Sequence, residues 1–411
     1  MTKRVAVVGI GAVSPLGNTA KSFLDGIFNS KLGIAPITHF DSTETGITNA
    51  AEVKDFDATK RMDKRTAKRM DQFSRYAVYS AMEAMEQAGL KDGNFDPDQL
   101  GVIYGSGIGG LTTIQKQAIK MYRKGPRRVS PMFVPDAIVN MAAGNISINL
   151  NARNTSQAIV TACATGSNAI GDAYERIMDG RATYMIAGGS EASINELGIA
   201  GFAAIHALSD AKDPKKASMP FDKDRRGFVM GEGAGTLVLE DYDHAKARGA
   251  NILAELAGYG TTSDAYHLTA PDPNGRGAIN AMKQAVEDAG LTTNDIDYIN
   301  AHGTATSDND SAEAKGIAKL FSDNDHVLTS STKGMIGHAL GAAGSLEAVI
   351  SVGALQRNQM PVNVGVENQD PECKINLVND DNKKSHDVNS VISNSFGFGG
   401  HNSVLAFKKA N

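Results

Sequence analysis

The spacing of apolar residues changes along the chain, which predicts strands that alternate with helices. The first apolar run, Arg4 to Val8, has the length and β-branched content of a strand. The segments from Ala81 to Leu90 and from Met282 to Leu291 carry apolar residues at helical spacing, and each ends in Gly-Leu, a common helix stop. Short connections between such elements favour parallel or mixed sheets covered by helices on both faces.

The predicted elements occur twice in the same order. Each of the two helices is followed by a polar loop and a strand that ends in glycine, over Gly101–Gly107 and Asp297–Gly303. Because an ordered series of matches is hard to obtain by chance, we interpret the chain as a diverged tandem duplication, with halves over residues 1–250 and 251–411. The other matching segments are Gly9-Ile10-Gly11 with Gly258-Tyr259-Gly260 after Ile252–Ala257, and the region of Cys163 with Val327–Lys333.

The stretch from Ser156 to Gly171 predicts a strand that leads into a helix, with Cys163 at the junction. The run Ala158–Ala162 is typical of a buried strand, and small residues after it allow close helix packing. A thiol at a helix N-terminus faces free backbone N–H groups, so its thiolate is favoured and nucleophilic near neutral pH. Two interpretations of Cys163 stay open from this stretch alone: a catalytic nucleophile or a small buried cysteine.

A glycine-rich segment, Gly9–Gly17, follows the first strand. A dinucleotide-binding fingerprint needs a third glycine at position 14, where this chain has Ser14-Pro15. We therefore predict a tight turn between a strand and a helix, with a phosphate cradle as the alternative.

Composition and charge narrow the class of protein. The 411 residues are 41% hydrophobic and include 43 glycines, as in a compact globular chain with many turns. Two cysteines, Cys163 and Cys373, and a start without an apolar signal segment predict a cytoplasmic protein without disulfides. No apolar run is long enough for membrane insertion. The net charge of −5 argues against non-specific nucleic-acid binding as the main task.

Two basic segments interrupt this acidic chain. On a helix, the six cations of Lys60–Arg69 would form two adjacent rows at i,i+4 spacing, in which like charges repel. A second cluster, Lys120 to Arg128, lies in a predicted loop that contains Gly-Pro. Each segment is either a solvated face or a docking site for an acidic partner.

Two histidines of the C-terminal half lie in loops beside glycine. These are His302, after an apolar strand, and His338. Catalytic side chains of such folds gather beyond the carboxyl ends of strands, and loop histidines favour a functional over a core role. The cysteines and histidines lack the local pairing of a zinc site, so we predict no metal. The glycine-dense turn over Asn394–Asn402 can present backbone N–H groups to an oxyanion.

Four motifs resemble those of the β-ketoacyl-acyl carrier protein synthases of the thiolase superfamily, especially the synthase II type of bacterial fatty acid synthesis. They are Thr-Ala-Cys-Ala-Thr-Gly at 161–166, Ala-His-Gly-Thr-x-Thr at 301–306, Ser-Thr-Lys-Gly-x-x-Gly-His at 331–338 and Gly-Phe-Gly-Gly-His-Asn at 397–402. The resemblance covers the chain from Val5 to Phe407. It implies an α/β fold of the thiolase type, with five αβαβα layers from two duplicated halves, and a homodimer.

The resemblance also implies roles for five residues. Cys163 is the nucleophile that accepts the acyl chain, and His302 and His338 serve decarboxylation and condensation. Lys333 supports both histidines electrostatically, and the backbone N–H groups of Cys163 and of a gating Phe398 hold the thioester oxyanion. No cofactor is implied, because the substrates carry phosphopantetheine on acyl carrier protein.

Further residues match the substrate-binding positions of the family. Thr304 and Thr306 match residues that bind the phosphopantetheine arm, with turn stabilisation as the alternative. Glu347 matches the partner of the catalytic lysine, or is a carboxylate on a helix surface, and Ile108 and Phe202 fall where the family lines its acyl pocket. Because acyl carrier proteins are acidic, the basic segments are expected to dock one. The docking residues are Lys64, Arg65, Lys68, Arg69, Arg127 and Arg128.

Decarboxylative condensation explains this set of residues chemically. A thiolate exchanges an acyl group with a thioester at little energetic cost. Loss of CO₂ from a malonyl thioester puts charge on its oxygen, and each imidazole N–H aimed there is worth about 3 kcal/mol. The predicted activity is therefore condensation of an acyl chain on Cys163 with malonyl-acyl carrier protein, the elongation step of fatty acid synthesis. Two other classes stay open: a cysteine hydrolase or plain acyltransferase that needs one histidine, and a non-catalytic partner subunit.

Overall fold

Strands and helices alternate along the chain, as the apolar spacing predicts, in the computed structural model, which describes residues 3–410. The strands are β1 (Val5–Val13), β2 (Ala35–Pro36), β3 (Asn49–Ala50), β4 (Leu100–Gly105), β5 (Ser156–Gln157), β6 (Tyr184–Glu191), β7 (Gly233–Asp241), β8 (Ala254–Ser263), β9 (Tyr298–Asn300), β10 (Leu328–Ser330), β11 (Ser390–Gly397) and β12 (His401–Lys408). The α-helices are α1 (Ala20–Phe28), α2 (Lys64–Ala67), α3 (Gln72–Gln87), α4 (Leu111–Lys124), α5 (Phe133–Ala137), α6 (Met141–Asn149), α7 (Thr165–Met178), α8 (Glu196–Ala204), α9 (Tyr242–Ala247), α10 (Arg276–Asp288), α11 (Ser307–Leu320), α12 (Lys333–Ile336) and α13 (Ala343–Arg357).

Ten of the described strands form one mixed sheet in which the two halves of the chain repeat one topology. The strand order is β5-β4-β6-β7-β1 in the first half and β10-β9-β11-β12-β8 in the second. In each half the first three strands of this order are parallel, and the last two pairings are antiparallel. Antiparallel pairing of β1 with β8 joins the halves. The repeated order is the one expected from a tandem duplication.

Helices cover both faces of each half of the sheet. α7 and α13 contact strands of both halves and lie between them. On the outer faces, α3 and α6 pack on the first half, and α10, with α11 against it, packs on the second. Each half of the sheet forms a layer of its own, with α7 and α13 between the two halves. The layers are therefore helix, sheet, helix, sheet, helix, which confirms the predicted fold class. That the halves divide between residues 250 and 251 stays a prediction.

Alternate residues of β1 belong to different apolar clusters, because successive side chains of a strand point to opposite faces. Val5 and Val7 pack in the central cluster with α7 and α13, and Ala6 and Val8 pack in the outer cluster with α3. The strand is thus buried on both sides, which accounts for its continuous apolar run. Within residues 3–410, no helix combines the length and the apolar character needed to cross a membrane.

The two repeated helices end where the sequence predicts. Gly89 and Gly290 have φ values of +68° and +66°, which favour glycine because other residues crowd their own backbone there. In each case the N–H of the next leucine bonds back into the last turn, from Leu90 to Met85 and from Leu291 to Val286, both at 3.0 Å. These contacts close the helix ends.

The predicted tight turn after the first strand begins later than expected. β1 continues through Gly9 and Gly11 to Val13, because α3 lies directly on these glycines. A Cβ atom at Gly11 would lie only 1.9 Å from the carbonyl oxygen of Ser80. The chain turns at Ser14–Gly17, where the two end residues exchange backbone hydrogen bonds of 2.9 and 3.1 Å.

The two basic segments fold differently from the prediction. Residues 60–69 do not form one helix, because Asp63 accepts hydrogen bonds from the N–H groups of Arg65 and Thr66 and so starts the four-residue α2 in the middle of the segment. In the second cluster, the residues from Lys120 to Lys124 end α4, and only Arg127 and Arg128 lie in the turn that follows. The side chains proposed for docking are nevertheless all exposed.

Candidate active site

Cys163 lies in a short 3-10 turn over residues 162–164, directly before α7. The buried strand predicted over Ala158–Ala162 is wrong, since β5 covers only Ser156–Gln157 and Val160 is 51% exposed. Only β4 pairs with β5 among the described strands, because β5 is the last strand on its side of the sheet. Ala162 has a φ of +51°, which costs a residue other than glycine about 1 kcal/mol. The chain thus bends sharply immediately before the cysteine.

The thiol of Cys163 is neutral in this environment. Burial raises its pKa to about 12, although the Lys333 ammonium and a hydrogen bond from the backbone N–H of Phe398 lower it. Loss of hydration thus opposes the thiolate that a helix N-terminus is expected to favour. It follows that the proton of Cys163 must leave as the sulfur attacks a thioester.

His302 follows β9 directly, and a buried carboxylate holds its backbone. Glu313 of α11 accepts hydrogen bonds of 2.8 Å from the N–H groups of both His302 and Gly303. The side-chain amide of Asn394 donates to the same carboxylate at 3.0 Å. Burial raises the pKa of Glu313 to about 7, against the effect of these hydrogen bonds. The turn is thereby fastened from two neighbouring elements.

Lys333 lies behind His302 and is 1% exposed. Its ammonium donates to the carbonyl oxygen of His302 at 2.5 Å and lies 3.5 Å from Nδ1 of the same residue. It also forms an ion pair with the equally buried Glu347. Because an ammonium group only donates, Nδ1 is the acceptor and the proton of the neutral ring is on Nε2.

His338 reaches the same place from the segment after α12. Its N–H donates to the carbonyl of Val229 at 2.7 Å, and its own carbonyl accepts from Gly231 at 2.9 Å. Its ring packs edge-on against those of His302 and Phe228, with centroids 5.2 and 5.1 Å apart. Burial, followed by the charge of Lys333, lowers the pKa of each histidine well below the usual value. Both rings are therefore neutral at pH 7.

One cavity of about 470 Å³ connects these groups. Glu347 and Lys333 do not line it and lie behind the histidines, and Ile108 packs in the apolar cluster around Cys163 without lining the cavity. Within residues 3–410, no group of three or more His, Cys, Asp or Glu side chains is arranged to hold a metal ion. The cavity lining includes seven residues predicted from the sequence: Cys163, Phe202, His302, Thr304, Thr306, His338 and Phe398.

Phe398 occupies the tight turn between β11 and β12. The glycine-dense segment predicted over Asn394–Asn402 is mostly strand, and the turn itself is only three residues long. Gly399 donates to the carbonyl of Leu268 at 2.8 Å, and the Gly400 carbonyl accepts from Asp264 at 2.9 Å. The neighbouring loop therefore holds the turn where the Phe398 amide meets the sulfur of the cysteine.

The two threonines are brought together by a strained turn. The hydroxyl oxygens of Thr304 and Thr306 are 2.9 Å apart. Ala305 between them is buried with a φ of +67°, its N–H donates to Asp310 at 3.2 Å, and its carbonyl accepts from Gly227 at 3.0 Å. Backbone contacts thus hold the turn, in addition to the contact between the two hydroxyls.

Three residues of the site were not predicted from the sequence. Asp310 and Glu313 are fully buried on the inner face of α11, three residues apart and on the same face as Ile317. Carboxylates at the spacing of a buried helix face are the signal that would have located them, because a buried acid needs N–H partners. Arg225 is the third of these residues, and its buried guanidinium donates to the carbonyl of Thr306 at 3.2 Å. No pattern in the sequence around Arg225 indicates this contact.

Family models match most of the chain up to residue 367. The Beta-ketoacyl synthase, N-terminal domain matches residues 2–245, and the Beta-ketoacyl synthase, C-terminal domain matches residues 253–367. A 3-oxoacyl-[acyl-carrier-protein] synthase 2 of Synechocystis sp. is 47% identical over 409 residues, which are 99% of this chain and 98% of that relative.

Solved structures agree with these matches. A crystal structure of a beta-ketoacyl synthase from Burkholderia phymatum has a TM-score of 0.91 at 34% identity, with all of both chains covered. Another structure, AntDE:AntF, is a type II PKS acyl-carrier protein in complex with its ketosynthase bound to the hexaketide. It has a TM-score of 0.91 at 29% identity, again with all of both chains covered.

Proposed function

Because this chain belongs to the beta-ketoacyl synthase family, we propose that it condenses an acyl chain held on Cys163 with malonyl-acyl carrier protein. The products are 3-oxoacyl-acyl carrier protein, CO₂ and free carrier protein, as in the elongation step of type II fatty acid synthesis. The observation that carries the proposal is that one thiol and two neutral imidazoles line the same cavity.

In the first half-reaction, Cys163 accepts the acyl group. Its sulfur attacks the thioester carbonyl, the bond to the carrier sulfur breaks, and the thiol proton leaves with the carrier as a free thiol. The charge that forms on the carbonyl oxygen is stabilised by the N–H groups of Cys163 and Phe398, since the latter already points at the sulfur.

In the second half-reaction, the histidines stabilise the enolate. When the malonyl carboxylate leaves as CO₂, its electron pair moves onto the thioester oxygen. The Nε2–H of His302, oriented by Lys333, and an N–H of His338 donate to that oxygen, at about 3 kcal/mol for a well-placed donor. The enolate carbon then attacks the acyl-Cys163 carbonyl, and the cysteine sulfur leaves as a thiolate, which takes a proton from water and becomes the thiol again. The thiol supplies the nucleophile, and the two imidazoles and the backbone amides stabilise each negative charge that develops, so we propose that no cofactor takes part.

Intact-protein mass measurement tests the reaction. We expect an octanoyl carrier protein to leave an acyl adduct on the wild-type chain and none on Cys163→Ala. Malonyl carrier protein should then clear the adduct and yield a 3-oxoacyl product that is two carbons longer. An adduct cleared equally well by water would indicate a hydrolase instead, and no adduct with any acyl length would indicate a non-catalytic subunit.

Single histidine variants separate the two half-reactions. His302→Ala and His338→Ala should each keep self-acylation of Cys163 and lose release of CO₂ from malonyl carrier protein. The role that we assign to a histidine is wrong if its variant releases CO₂ at the wild-type rate.

We also propose that an acidic carrier protein docks on the two basic segments. Lys64, Lys68 and Arg127 are exposed and form no ion pair among the described residues, so their charges are free to attract a carrier. The solved ketosynthase complex with its acyl-carrier protein supports a partner of this kind. Arg65, Arg69 and Arg128 are exposed in the same way.

A homodimer that pairs through β5 is the assembly that we propose. β5 is an edge strand that contacts α6, and α6 contacts α5. Exposed apolar side chains lie on α5, directly after α5, on α6 and after β5: Val134, Ile138, Ile148 and Val160. An open strand edge beside apolar residues is a typical pairing site. Sedimentation velocity should give the mass of two chains, and a monomer at micromolar concentration would contradict the proposal.

We place the enzyme in the cytoplasm, where a reducing environment preserves free thiols such as those of Cys163 and Cys373. Cell fractionation followed by detection of the chain tests this location, and recovery in a secreted fraction would contradict it.

A further inference from the structure

The mechanism above makes no use of Glu191, a fully buried carboxylate at the end of β6. A buried charge is costly unless it is well paired, and burial raises the pKa of this carboxyl, while hydrogen bonds from two serines and two glycines lower it. The two oxygens accept five hydrogen bonds: at Oε1 from the hydroxyls of Ser106 (3.0 Å) and Ser193 (2.9 Å) and the N–H of Ile108 (3.3 Å), and at Oε2 from the N–H groups of Gly107 (2.8 Å) and Gly341 (3.1 Å).

Apart from Ser193, which follows Glu191 in the chain, these partners belong to two segments that both reach the active site. Gly107 and Ile108 lie in the connection from β4 to α4, and Ile108 packs in the apolar cluster that contains Cys163. Gly341 follows His338 by three residues and comes after Leu340 of the same cluster. One carboxylate therefore joins the apolar wall beside the nucleophile to the segment that carries a histidine.

Glu191, Gly107 and Gly341 pack together without space for a further atom. A Cβ atom at Gly107 would lie 2.7 Å from Oε2 of Glu191, and one at Gly341 would lie 2.2 Å from the nitrogen of Gly107. Both distances are shorter than any that real Cβ atoms adopt, so the three groups are closely packed. A shift of either segment must therefore break hydrogen bonds to the carboxylate.

We propose that Glu191 is a positioning residue that holds Ile108 in place and thereby determines which acyl chain lengths Cys163 accepts. The proposal rests on the function proposed above, in which an acyl chain is held on Cys163. Ile108 does not line the open cavity, so a chain long enough to reach it must push it aside. The hydrogen bond from its N–H to Glu191 opposes that movement.

Glu191→Gln tests the proposal with an isosteric change. Glutamine has a single acceptor oxygen, which at the Oε2 position keeps the bonds from Gly107 and Gly341. Its amide nitrogen then takes the Oε1 position, where both serine hydroxyls can rotate to accept from it, but the N–H of Ile108 meets another donor. The substitution thus keeps the bonds from Gly107 and Gly341, reverses the direction of the two serine bonds and removes the bond to Ile108.

The measurement is the rate of Cys163 self-acylation from octanoyl and from hexadecanoyl carrier protein, followed by intact-protein mass. We expect the hexadecanoyl-to-octanoyl rate ratio to rise by about tenfold in Glu191→Gln. A ratio equal to that of the wild type, or equal losses with both chains, would overturn the proposal, because a merely structural role affects all chain lengths alike. Absence of acylation in the wild type would instead refute the proposed function.

Two further variants complete the test. Ser190→Ala removes the neighbouring buried hydroxyl, which has no partner among the described residues, and should leave the ratio unchanged. If Glu191→Gln does not fold, Ser106→Ala takes its place. The Ser106 hydroxyl donates to Glu191 and accepts from the N–H of Gly109, so it holds the segment on both sides of Ile108 against the carboxylate. Its loss loosens the segment that carries Ile108 and should raise the ratio in the same direction, and an unchanged ratio would overturn the proposal.

Discussion

Lys333 is buried, and its ammonium group touches a carboxylate and a histidine at once. It contacts Nδ1 and the carbonyl oxygen of His302 and pairs with Glu347. Burial raises the pKa of Glu347 to about 7 even beside this cation. The Glu347 carboxyl therefore takes up a proton readily if the ammonium is removed. A variant without Lys333 then contains a neutral carboxyl at this position instead of an unpaired buried charge.

We predict that Lys333→Met changes the pH dependence of CO₂ release. Without the ammonium, the neutral His302 ring can carry its proton on Nδ1, which leaves Nε2 without a donor for the enolate. At pH 7 the rate should fall by about tenfold or more. The pKa of His302 should also rise, since the charge of Lys333 is one of the causes that lower it.

Acid should then partly restore the Lys333→Met variant. A protonated ring has N–H groups at both nitrogens, and burial still keeps the pKa of His302 below its usual value, so CO₂ release should increase as the pH falls below about 6.5. The wild-type rate should stay flat over this range, because its histidines stay neutral. Glu347→Gln, which keeps the ammonium, is the matched control and should also stay flat. A Lys333→Met rate that falls with acid would contradict the assigned tautomer.

The two halves of the chain pack a strand on a helix in the same unusual way. In the first half, a Cβ atom at Gly11 of β1 would lie 1.9 Å from the Ser80 carbonyl of α3. In the second half, one at Gly260 of β8 would lie 2.0 Å from the Ala281 carbonyl of α10. The duplicated elements therefore approach so closely that only glycine fits at these positions.

Alanine at either glycine should destabilise the fold. We predict that Gly11→Ala and Gly260→Ala each lower the free energy of unfolding by about 3 kcal/mol or more, because the backbone carbonyl opposite cannot move aside without shifting its helix. Gly201→Ala on α8 is the control: nothing lies within 4 Å of that position, and it should gain about 0.5 kcal/mol or more from helix propensity. Urea unfolding measures the stability of all three variants. Equal unfolding midpoints for the three would refute the close contact between strand and helix.

At the scale of the whole molecule, a net charge of −5 is combined with local positive patches. An acidic carrier is repelled by the overall charge at long range and attracted by a patch within a Debye length, about 8 Å at physiological salt. Docking should thus depend on the arrangement of cations more than on their number.

We predict that Lys68→Glu combined with Arg127→Glu raises the KM for carrier-bound substrates by about tenfold and leaves kcat nearly unchanged. Added salt should raise the KM of the wild type and thereby reduce the difference in KM between the wild type and the double variant. Lys374→Glu changes an exposed lysine outside both segments and should have little effect. Decarboxylation of a malonyl thioester without carrier protein should be the same in all variants, and a loss there would indicate damage to the site rather than to docking.

The alternating elements, their duplication and the principal chemical groups could be predicted from the local pattern of the chain. Gly89 and Gly290 end helices through their own backbone conformation, so their effect is visible in sequence. Cys163, His302 and His338 are recognised from short motifs because each lies in a turn defined by adjacent residues. Their meeting in one cavity follows from the repeated topology, which the periodic apolar pattern already indicated.

Properties that depend on residues far apart in the chain could not be predicted in this way. Burial raises the pKa of the Cys163 thiol, in an apolar cluster that combines Ile194 of the first half with Leu340 of the second. The exposure of Val160 results from the edge position of β5. Glu191 meets Gly341 across 150 positions. Desolvation and hydrogen bonding are set by which distant segments pack together, and no local pattern of apolar and polar residues contains that information.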